Sequence, residues 1–195
     1  MPELTQRILV PKSGVASKLA GLFLWQLDDQ SLRLAEDTRG ATPEELAWQP
    51  APGMNTIGML LAHIAAVEVG WVRAAVFEKD RDSGEVLGLT KRQIDMPLAP
   101  DGLPPAALAG KTLDYFDGLL SRARDFTRAS IANLSDADMD RRFRTPANWE
   151  PRGGEFEGTI GWALYHILEH EAGHYGQINL LRHLYGVPAR DRASM

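Results

Sequence analysis

The chain has 195 residues, of which 44% are hydrophobic and 24% are charged, so it can form one domain with a substantial core. Its net charge of −5, from 21 basic and 26 acidic residues, argues against non-specific binding to nucleic acid. The absence of cysteine excludes disulfides, thiolate nucleophiles and cysteine-zinc sites. We expect no secretory signal and no membrane-spanning segment, and therefore a soluble cytoplasmic domain.

The first half of the chain alternates between helical patterns and connectors. Apolar residues recur at three- and four-residue steps from Val15 to Ala35, which predicts the first long helix. Thr42 to Glu45 has the sequence of a capping box and opens a short turn. A second long helix is predicted from Ile57 to about Lys79. The prolines and glycines of residues 80–110 predict a connector, which is either a lid over a pocket or an inert crossover.

The second half has the same organisation. A third helix is predicted from about Thr112 to Asn133, and Ser135 to Asp138 repeats the capping pattern. Residues 141–158 are predicted to be irregular, and no series of strands is evident. The last long helix starts near Thr159 and stops at Gly186, two residues before Pro188. Four long helices with two long crossover connections predict an all-α four-helix bundle, a single domain over residues 1–195.

An internal similarity links the second and fourth long helices. Residues 56–68 and 159–171 match at a constant offset of 103, and seven of the thirteen positions are identical. A tryptophan in a proline-containing loop precedes each stretch, Trp48 in one case and Trp149 in the other. Chance similarity between two amphipathic helices is the alternative explanation. In either case, the match marks these two helices as the pair whose inner faces carry polar residues.

All five histidines lie on these two helices. His166, His170 and His174 are four residues apart, so neighbouring members can direct their imidazoles at one point. His63, on the other helix, would complete a set of three ligands for zinc or nickel. Parallel helices would bring His63 to His166 and His170, whereas antiparallel helices would bring it to His170 and His174. The long connector favours the antiparallel arrangement, and we predict His63, His170 and His174 as the ligands.

Each histidine also has a structural interpretation. A buried histidine is often only a hydrogen-bonded core residue, and this alternative applies to His63 and His166. His183 lies in the last turn of its helix, where the helix dipole favours a cation, so we interpret it as structural. A basic cluster beside the second connector is either a solvated loop or an anion-recognising rim of a pocket. It comprises Arg141, Arg142, Arg144 and Arg152.

Two other metal-site classes share part of this pattern. His170 to His174 satisfies H-E-x-x-H, the zinc metalloprotease signature, but the further ligand that those enzymes need is missing downstream, and no strand is predicted to hold a peptide. A ferritin-like di-iron site needs Glu-x-x-His on two helices, and Leu60 stands where the second glutamate is required. We therefore favour a single-metal site.

The histidine segments resemble the DinB/YfiT-like metalloprotein superfamily. Leu61 to Glu68 carries the resemblance on the second helix and His170 to Gln177 on the fourth, and the similarity covers roughly residues 16–186. The resemblance implies a four-helix bundle of up-down-down-up topology that is commonly a homodimer. It also implies one divalent metal ion per chain, held by one histidine of the second helix and a pair from the fourth. Carried onto this sequence, these ligands are His63, His170 and His174.

The resemblance further implies an activity. Known members include S-transferases that use bacillithiol and a mycothiol-dependent maleylpyruvate isomerase, so it implies a metal-dependent transferase with a low-molecular-weight thiol and an electrophilic substrate as partners. The superfamily name reflects the induction of one member by DNA damage, which implies no DNA binding here. Where the family often has arginine after the last ligand, this chain has Tyr175. Any contact made by that arginine is therefore in question.

These implications suggest roles for further residues. The metal would bind the thiol, lower its pKa and hold the thiolate for attack. His166 and Glu171 are candidate catalytic residues: His166 as a proton carrier, and Glu171 to orient a water unless it merely faces solvent or a partner helix. Gln177 and Tyr175 are candidate cofactor-binding residues, with Gln177 supporting a ligand or contacting substrate. Two other functions stay open, a hydrolase with a metal-bound hydroxide and Glu171 as base, and a non-enzymatic metal-stabilised stress-response protein.

Overall fold

The computed structural model describes residues 6, 8–94, 96–145 and 155–186. This part of the chain is mostly helical, with one small antiparallel sheet of two strands. The helices are α1 (Lys18–Thr38), α2 (Pro43–Ala47), α3 (Ile57–Phe77), α4 (Gly84–Leu87), α5 (Lys91–Ile94), α6 (Leu113–Ile131) and α7 (Ile160–Leu184). The strands are β1 (Arg142–Thr145) and β2 (Phe156–Thr159), and short 3-10 helices lie at Ala106–Leu108 and Ala137–Asp140.

Side-chain caps begin most of the helices at the predicted places. A hydroxyl oxygen accepts a hydrogen bond from the backbone N–H three residues later, which satisfies one of the donors left over at a helix start. The four capping residues are Ser17, Thr42, Thr56 and Thr159. Ser135 and Asp138 also bond reciprocally, each side chain accepting from the other's backbone N–H. The predicted starts at Thr42, at Ile57 and near Thr159 are therefore confirmed.

The prediction that residues 141–158 lack strands was wrong. β1 pairs with β2, so that Arg142 lies opposite Thr159 and Thr145 lies opposite Phe156. Phe143 is buried from β1, and its ring packs against those of Trp71 and Phe156. Each strand has only four residues, too short for alternation to be distinctive in the sequence. Residues 146–154, which include the predicted loop around Trp149, Arg152 and the paired glycines, lie outside the described residues, as does Pro188.

Helix α3 forms the centre of the protein. Within residues 57–75 every residue is buried except His63. By length and composition α3 could cross a membrane, contrary to the expectation from the sequence, but 83% of its most apolar window is buried inside the protein. This is the pattern of a core helix that is covered on all sides by other elements. The single position that escapes burial is the predicted metal ligand.

Two hydrophobic clusters surround α3. The first packs the N-terminal half of α3 against α2, α6 and the second half of α7. The second packs the C-terminal half of α3 against the start of α1, β1 and the first half of α7. Leu87, Leu89 and Ile94, from the connector between α3 and α6, are buried in the first cluster. These three residues of the connector are therefore part of the hydrophobic core that surrounds α3.

Candidate metal centre

Helices α3 and α7 bring three histidines together. His63 comes from α3, and His170 and His174 come from successive turns of α7. The Nε2 atom of His170 lies 3.1 Å from the Nε2 atom of His63 and 3.1 Å from that of His174. The ligand atoms of all three residues lie within 4.8 Å of one another. Of the two pairs left open by the sequence, the structure thus places His170 and His174 beside His63.

This donor set fits a zinc-like ion. Ligand nitrogens at about 2.0–2.1 Å from a tetrahedral ion lie roughly 3.3 Å apart, close to the two shorter separations observed. Hydrogen bonding explains the arrangement less well. A neutral imidazole nitrogen offers either one N–H or one lone pair, so the Nε2 atom of His170 cannot satisfy two ring nitrogens at once. Three imidazoles of one kind, without a carboxylate, suit a borderline metal such as zinc or nickel.

Burial keeps two of these imidazoles neutral. Desolvation lowers the pKa of His63 to about 4, with smaller contributions from His174, Lys91 and Arg81. Desolvation also lowers the pKa of His170 to about 2, and the neighbouring histidines act in the same direction. The neutral imidazole is the form that carries a free lone pair, so the site favours the protonation state that a metal requires.

Gln177 orients one of the three rings. Its Oε1 atom accepts a hydrogen bond from Nδ1 of His174 at 2.8 Å. That bond places the proton on Nδ1 and leaves the lone pair on Nε2, the atom that faces His170. Such bonds fix the orientation and basicity of metal-binding histidines. Gln177 is therefore in place for the supporting role that the sequence suggested.

His166 lies one turn before His170, next to the cluster but outside it. Its ring stacks on Trp162, with centroids 5.0 Å apart and planes 5° apart, and meets the edge of Trp71 at 5.1 Å. The centroid of the His166 ring is 5.9 Å from that of His170. The aromatic contacts fix the position of the ring, and a role in proton transfer stays a prediction.

Glu171 does not face the three histidines. Its carboxylate accepts hydrogen bonds from Ser31 of α1 and from Arg124 of α6, and the residue is 1% exposed. Burial raises the pKa of Glu171 to about 7, while Arg124 opposes that rise. The sequence left Glu171 to orient a water, to face solvent or to face a partner helix. The structure supports the last of these, because the carboxylate faces α1 and α6.

The remaining predicted residues have local partners. The Tyr175 hydroxyl donates to Asp37 of α1, so its polar end points away from the histidines. Arg142 and Arg144 both pair with Glu157 on the neighbouring strand, and Arg141 donates to a backbone carbonyl of α3. All three arginines are exposed, which suits the solvated alternative, although Arg142 and Arg144 lie on β1 and not in a loop. His183 is exposed in the last turn of α7, in keeping with its structural interpretation.

The sequence model of the DinB superfamily matches residues 26–178, which is most of the chain. The chain belongs to the DinB superfamily. A crystal structure of a conserved protein from Enterococcus faecalis is similar to it, with a TM-score of 0.59 and 20% sequence identity over 87% of this chain and 98% of that chain. At that identity the likeness shows the fold alone. No curated protein matches the chain.

Sequence reasoning missed two groups around the centre of this DinB-superfamily chain. One is the buried Arg124, which binds both Glu68 and Glu171. The two glutamates end the internal repeat, and this signal could have suggested a shared partner. The other is the pair of cations, Arg81 and Lys91, that line a cavity at His63. No local pattern marks them, because their approach depends on how the connector returns over α3.

Proposed function

We propose that this protein is a metal-dependent transferase that acts on a low-molecular-weight thiol and an electrophilic substrate. The observation that carries the proposal is the convergence of His63, His170 and His174 from two helices. One zinc or nickel ion per chain is the proposed cofactor, with these three imidazoles as its ligands. Three ligands leave a coordination position for substrate, as in catalytic rather than structural zinc sites.

The chain's own residues have distinct parts in this proposal. The three histidines hold the ion, and Gln177 keeps His174 in the tautomer that presents Nε2. The bound ion would lower the pKa of a thiol and keep it as the nucleophilic thiolate. Ile94 and Met96 of the connector line a small cavity beside His63. We propose His166 as the residue that takes up or returns the proton.

The competing functions have less support. Hydrolysis with Glu171 as base would need that carboxylate beside the histidines, but its oxygens bond to Ser31 and Arg124. No other observation favours a hydrolase. A non-enzymatic protein stabilised by its metal, with a role in stress response, would use the same three ligands. It differs in predicting metal binding without thiol-dependent turnover.

We also propose an up-down-down-up bundle for the four long helices. Support comes from two contacts between each pair of neighbouring helices. Where the residue numbers of both partners rise together, the two helices run parallel; where one rises as the other falls, they run antiparallel. These contacts support a bundle in which α1 and α7 run one way and α3 and α6 run the other. The pairs are Ser31 with Glu171, Asp37 with Tyr175, His63 with His174, Trp71 with Trp162, Gly58 with Phe116, and Glu68 with Arg124.

We propose a cytoplasmic homodimer as the working form, with no nucleic acid or membrane as partner. Large apolar side chains are exposed on the outer helices, Leu19 and Leu32 on α1 and Leu180 and Leu184 on α7. A second copy that covered such side chains would remove apolar surface from water. Sedimentation velocity tests this directly, since a monomer at micromolar concentration would contradict it.

Metal content of the untagged protein tests the central proposal. We expect about one zinc or nickel ion per chain by mass spectrometry, and loss of that ion in His63→Ala. The matched control is His183→Ala, an exposed histidine at the end of α7, which should keep the metal. Metal-loaded protein should then turn over an electrophile only when a thiol is present. Equal metal in both variants would contradict the site, and bound metal without turnover would favour the non-enzymatic alternative.

A further inference from the structure

A groove lies between α1 and α6. Of the neighbouring long helices, these two contact each other least, and the space between them has a volume of about 460 Å³. That volume falls in the range of pockets that hold small molecules, roughly 300–1,000 Å³. Every residue that lines the groove belongs to one of these two helices, whereas the histidine cluster belongs to α3 and α7. The groove is therefore a second candidate ligand site, separate from the candidate metal centre.

One end of the groove has balanced charge. Arg124 lines this end from a buried position, and its guanidinium is bound to the two buried glutamates of α3 and α7 and to Asp28. Arg128, at the same end, lies 2.6 Å from a carboxylate oxygen of Asp28 and 3.4 Å from one of Asp125. Both cations that line the groove thus already have carboxylate partners among the described residues, and neither is left to bind an anion.

The other end carries a carboxylate without a counter-ion. Asp117 makes no hydrogen bond or ion pair with any described residue. Burial raises the pKa of Asp117, with a further contribution from Asp114 and none from a cation. Arg124 is seven positions further along α6, about 10 Å of helix axis, which is roughly one Debye length at physiological salt. The arginines at the balanced end therefore compensate little of the negative charge at Asp117.

Apolar side chains also line the groove. Leu120 is one turn after Asp117 and on the same face of α6, since residues three apart are neighbours on a helix surface. Leu32 and Ala35 line the opposite wall on α1, and Leu32 is 53% exposed. Ser121, four residues after Asp117, adds a hydroxyl that can accept a hydrogen bond beside the carboxylate. The groove thus places an unpaired carboxylate and a hydroxyl next to apolar surface.

We propose that the groove binds a small organic cation, with its ammonium group at Asp117 and its apolar body against Leu32 and Leu120. Three aspartates and two arginines line the groove, and a groove with an excess of one charge attracts ligands of the other sign. An ammonium has three N–H donors, which Asp117 and Ser121 can both accept. The proposal does not involve the histidines, so it is independent of the proposed transferase function. A second copy of the chain is the competing occupant, and sedimentation distinguishes the two.

Three probes of similar shape separate the charge of the ligand from its apolar body. Isothermal titration of the full chain at low salt would compare the 2-phenylethylammonium cation with neutral 2-phenylethanol and with the 3-phenylpropionate anion. The test variant is Asp117→Asn, and its matched control is Glu36→Gln, an exposed carboxylate of α1 that does not line the groove. Ala35→Phe places a ring in the groove from an exposed position. Thermal melting checks the fold of each variant.

We expect the parent to bind the ammonium most tightly and the anion least. Asp117→Asn should weaken the ammonium roughly threefold and leave 2-phenylethanol unchanged, whereas Glu36→Gln should bind all three probes like the parent. Ala35→Phe should weaken both the ammonium and the alcohol, because it fills the space that their rings occupy.

Three results would overturn the proposal. The first is a parent that does not bind the ammonium, or binds it no better than the alcohol. The second is ammonium binding that Asp117→Asn leaves unchanged, or that Glu36→Gln weakens as much. The third comes from sedimentation velocity: a parent dimer that becomes a monomer in Ala35→Phe would show that a second copy of the chain occupies the groove.

Discussion

Arg124 joins three other helices through one side chain. From α6, its guanidinium bonds to Glu68 of α3, to Glu171 of α7, and to Asp28 and Ser31 of α1. The side chain is 8% exposed and the two glutamates are 2% and 1% exposed, so little water compensates their charges. Buried charges in such a network depend on one another, because removal of one leaves the others unpaired.

This dependence predicts a large effect for one substitution. Arg124→Met should lower the free energy of unfolding by about 3–5 kcal/mol, since it leaves two buried carboxylates without a cation. Arg128→Met is the matched control. That arginine also pairs with Asp28, but 47% of its side chain is exposed, so its loss should cost less than about 1 kcal/mol. Urea unfolding of metal-free protein measures the free energy of unfolding of both variants. Equal losses would show that the buried network stabilises the protein no more than an exposed ion pair does.

Gln177 gives a second prediction at the same scale. Gln177→Leu removes the acceptor for Nδ1 of His174 and should weaken metal affinity roughly 10- to 100-fold without altering the fold. Gln177→Glu keeps an acceptor at that place and should hold affinity near that of the parent or above it. Competition with a metal-binding dye gives both constants. If the leucine variant bound the metal as tightly as the glutamate variant, Gln177 would have no supporting role in the metal site.

At the scale of elements, the two matching segments of sequence have matching structural parts. Thr56 and Thr159 each cap a helix, and two residues later a glycine lets a backbone carbonyl approach that helix. A Cβ atom would lie 3.1 Å from the Leu46 oxygen in the first case and 3.2 Å from the Met139 oxygen in the second. Each segment then ends in a glutamate bound to the same arginine. The sequence similarity between the two segments therefore reflects the same packing requirements at the starts of two helices.

The close approach at Gly58 predicts opposite effects for two identical substitutions. A Cβ atom there would lie 2.7 Å from the ring of the buried Phe116, so Gly58→Ala should destabilise the protein by about 1–2 kcal/mol. Gly118, inside α6, has only a flexible arginine end near its missing Cβ, at 3.4 Å. Gly118→Ala should stabilise by about 0.5–1 kcal/mol. Thermal melting of the two variants tests this, and shifts of the same sign would contradict the packing argument.

Local signals account for what the sequence could predict. Periodicity and capping residues placed the four long helices, and the spacing of His63, His170 and His174 predicted the cluster. The features that the sequence did not predict depend on contacts between distant segments of the chain. The partner of Glu171 lies 47 positions away, and the strands pair across a connector. The direction of Glu171 depends on Arg124, and helical spacing alone contains no such information.

At the scale of the whole molecule, the histidine cluster connects two elements that are distant in sequence. His63 and His170 are 107 positions apart, and their helices carry much of both hydrophobic clusters. An ion held by ligands from both helices would act as a cross-link that exists only in the folded state. Such binding stabilises the fold in proportion to the logarithm of the free ion concentration over its dissociation constant.

Removal of the metal should therefore lower the melting temperature. At a free ion concentration about a thousand times the dissociation constant, the stabilisation is roughly 4 kcal/mol, equivalent to about 10 °C for a chain of this length. Calorimetry of protein treated with a chelator, then reloaded, should show that shift and its reversal. His63→Ala should melt at one temperature in both conditions, because two ligands on a single helix no longer connect α3 to α7. A shift of equal size in His63→Ala would show that the ion binds elsewhere and that the histidine cluster is not the source of the stabilisation.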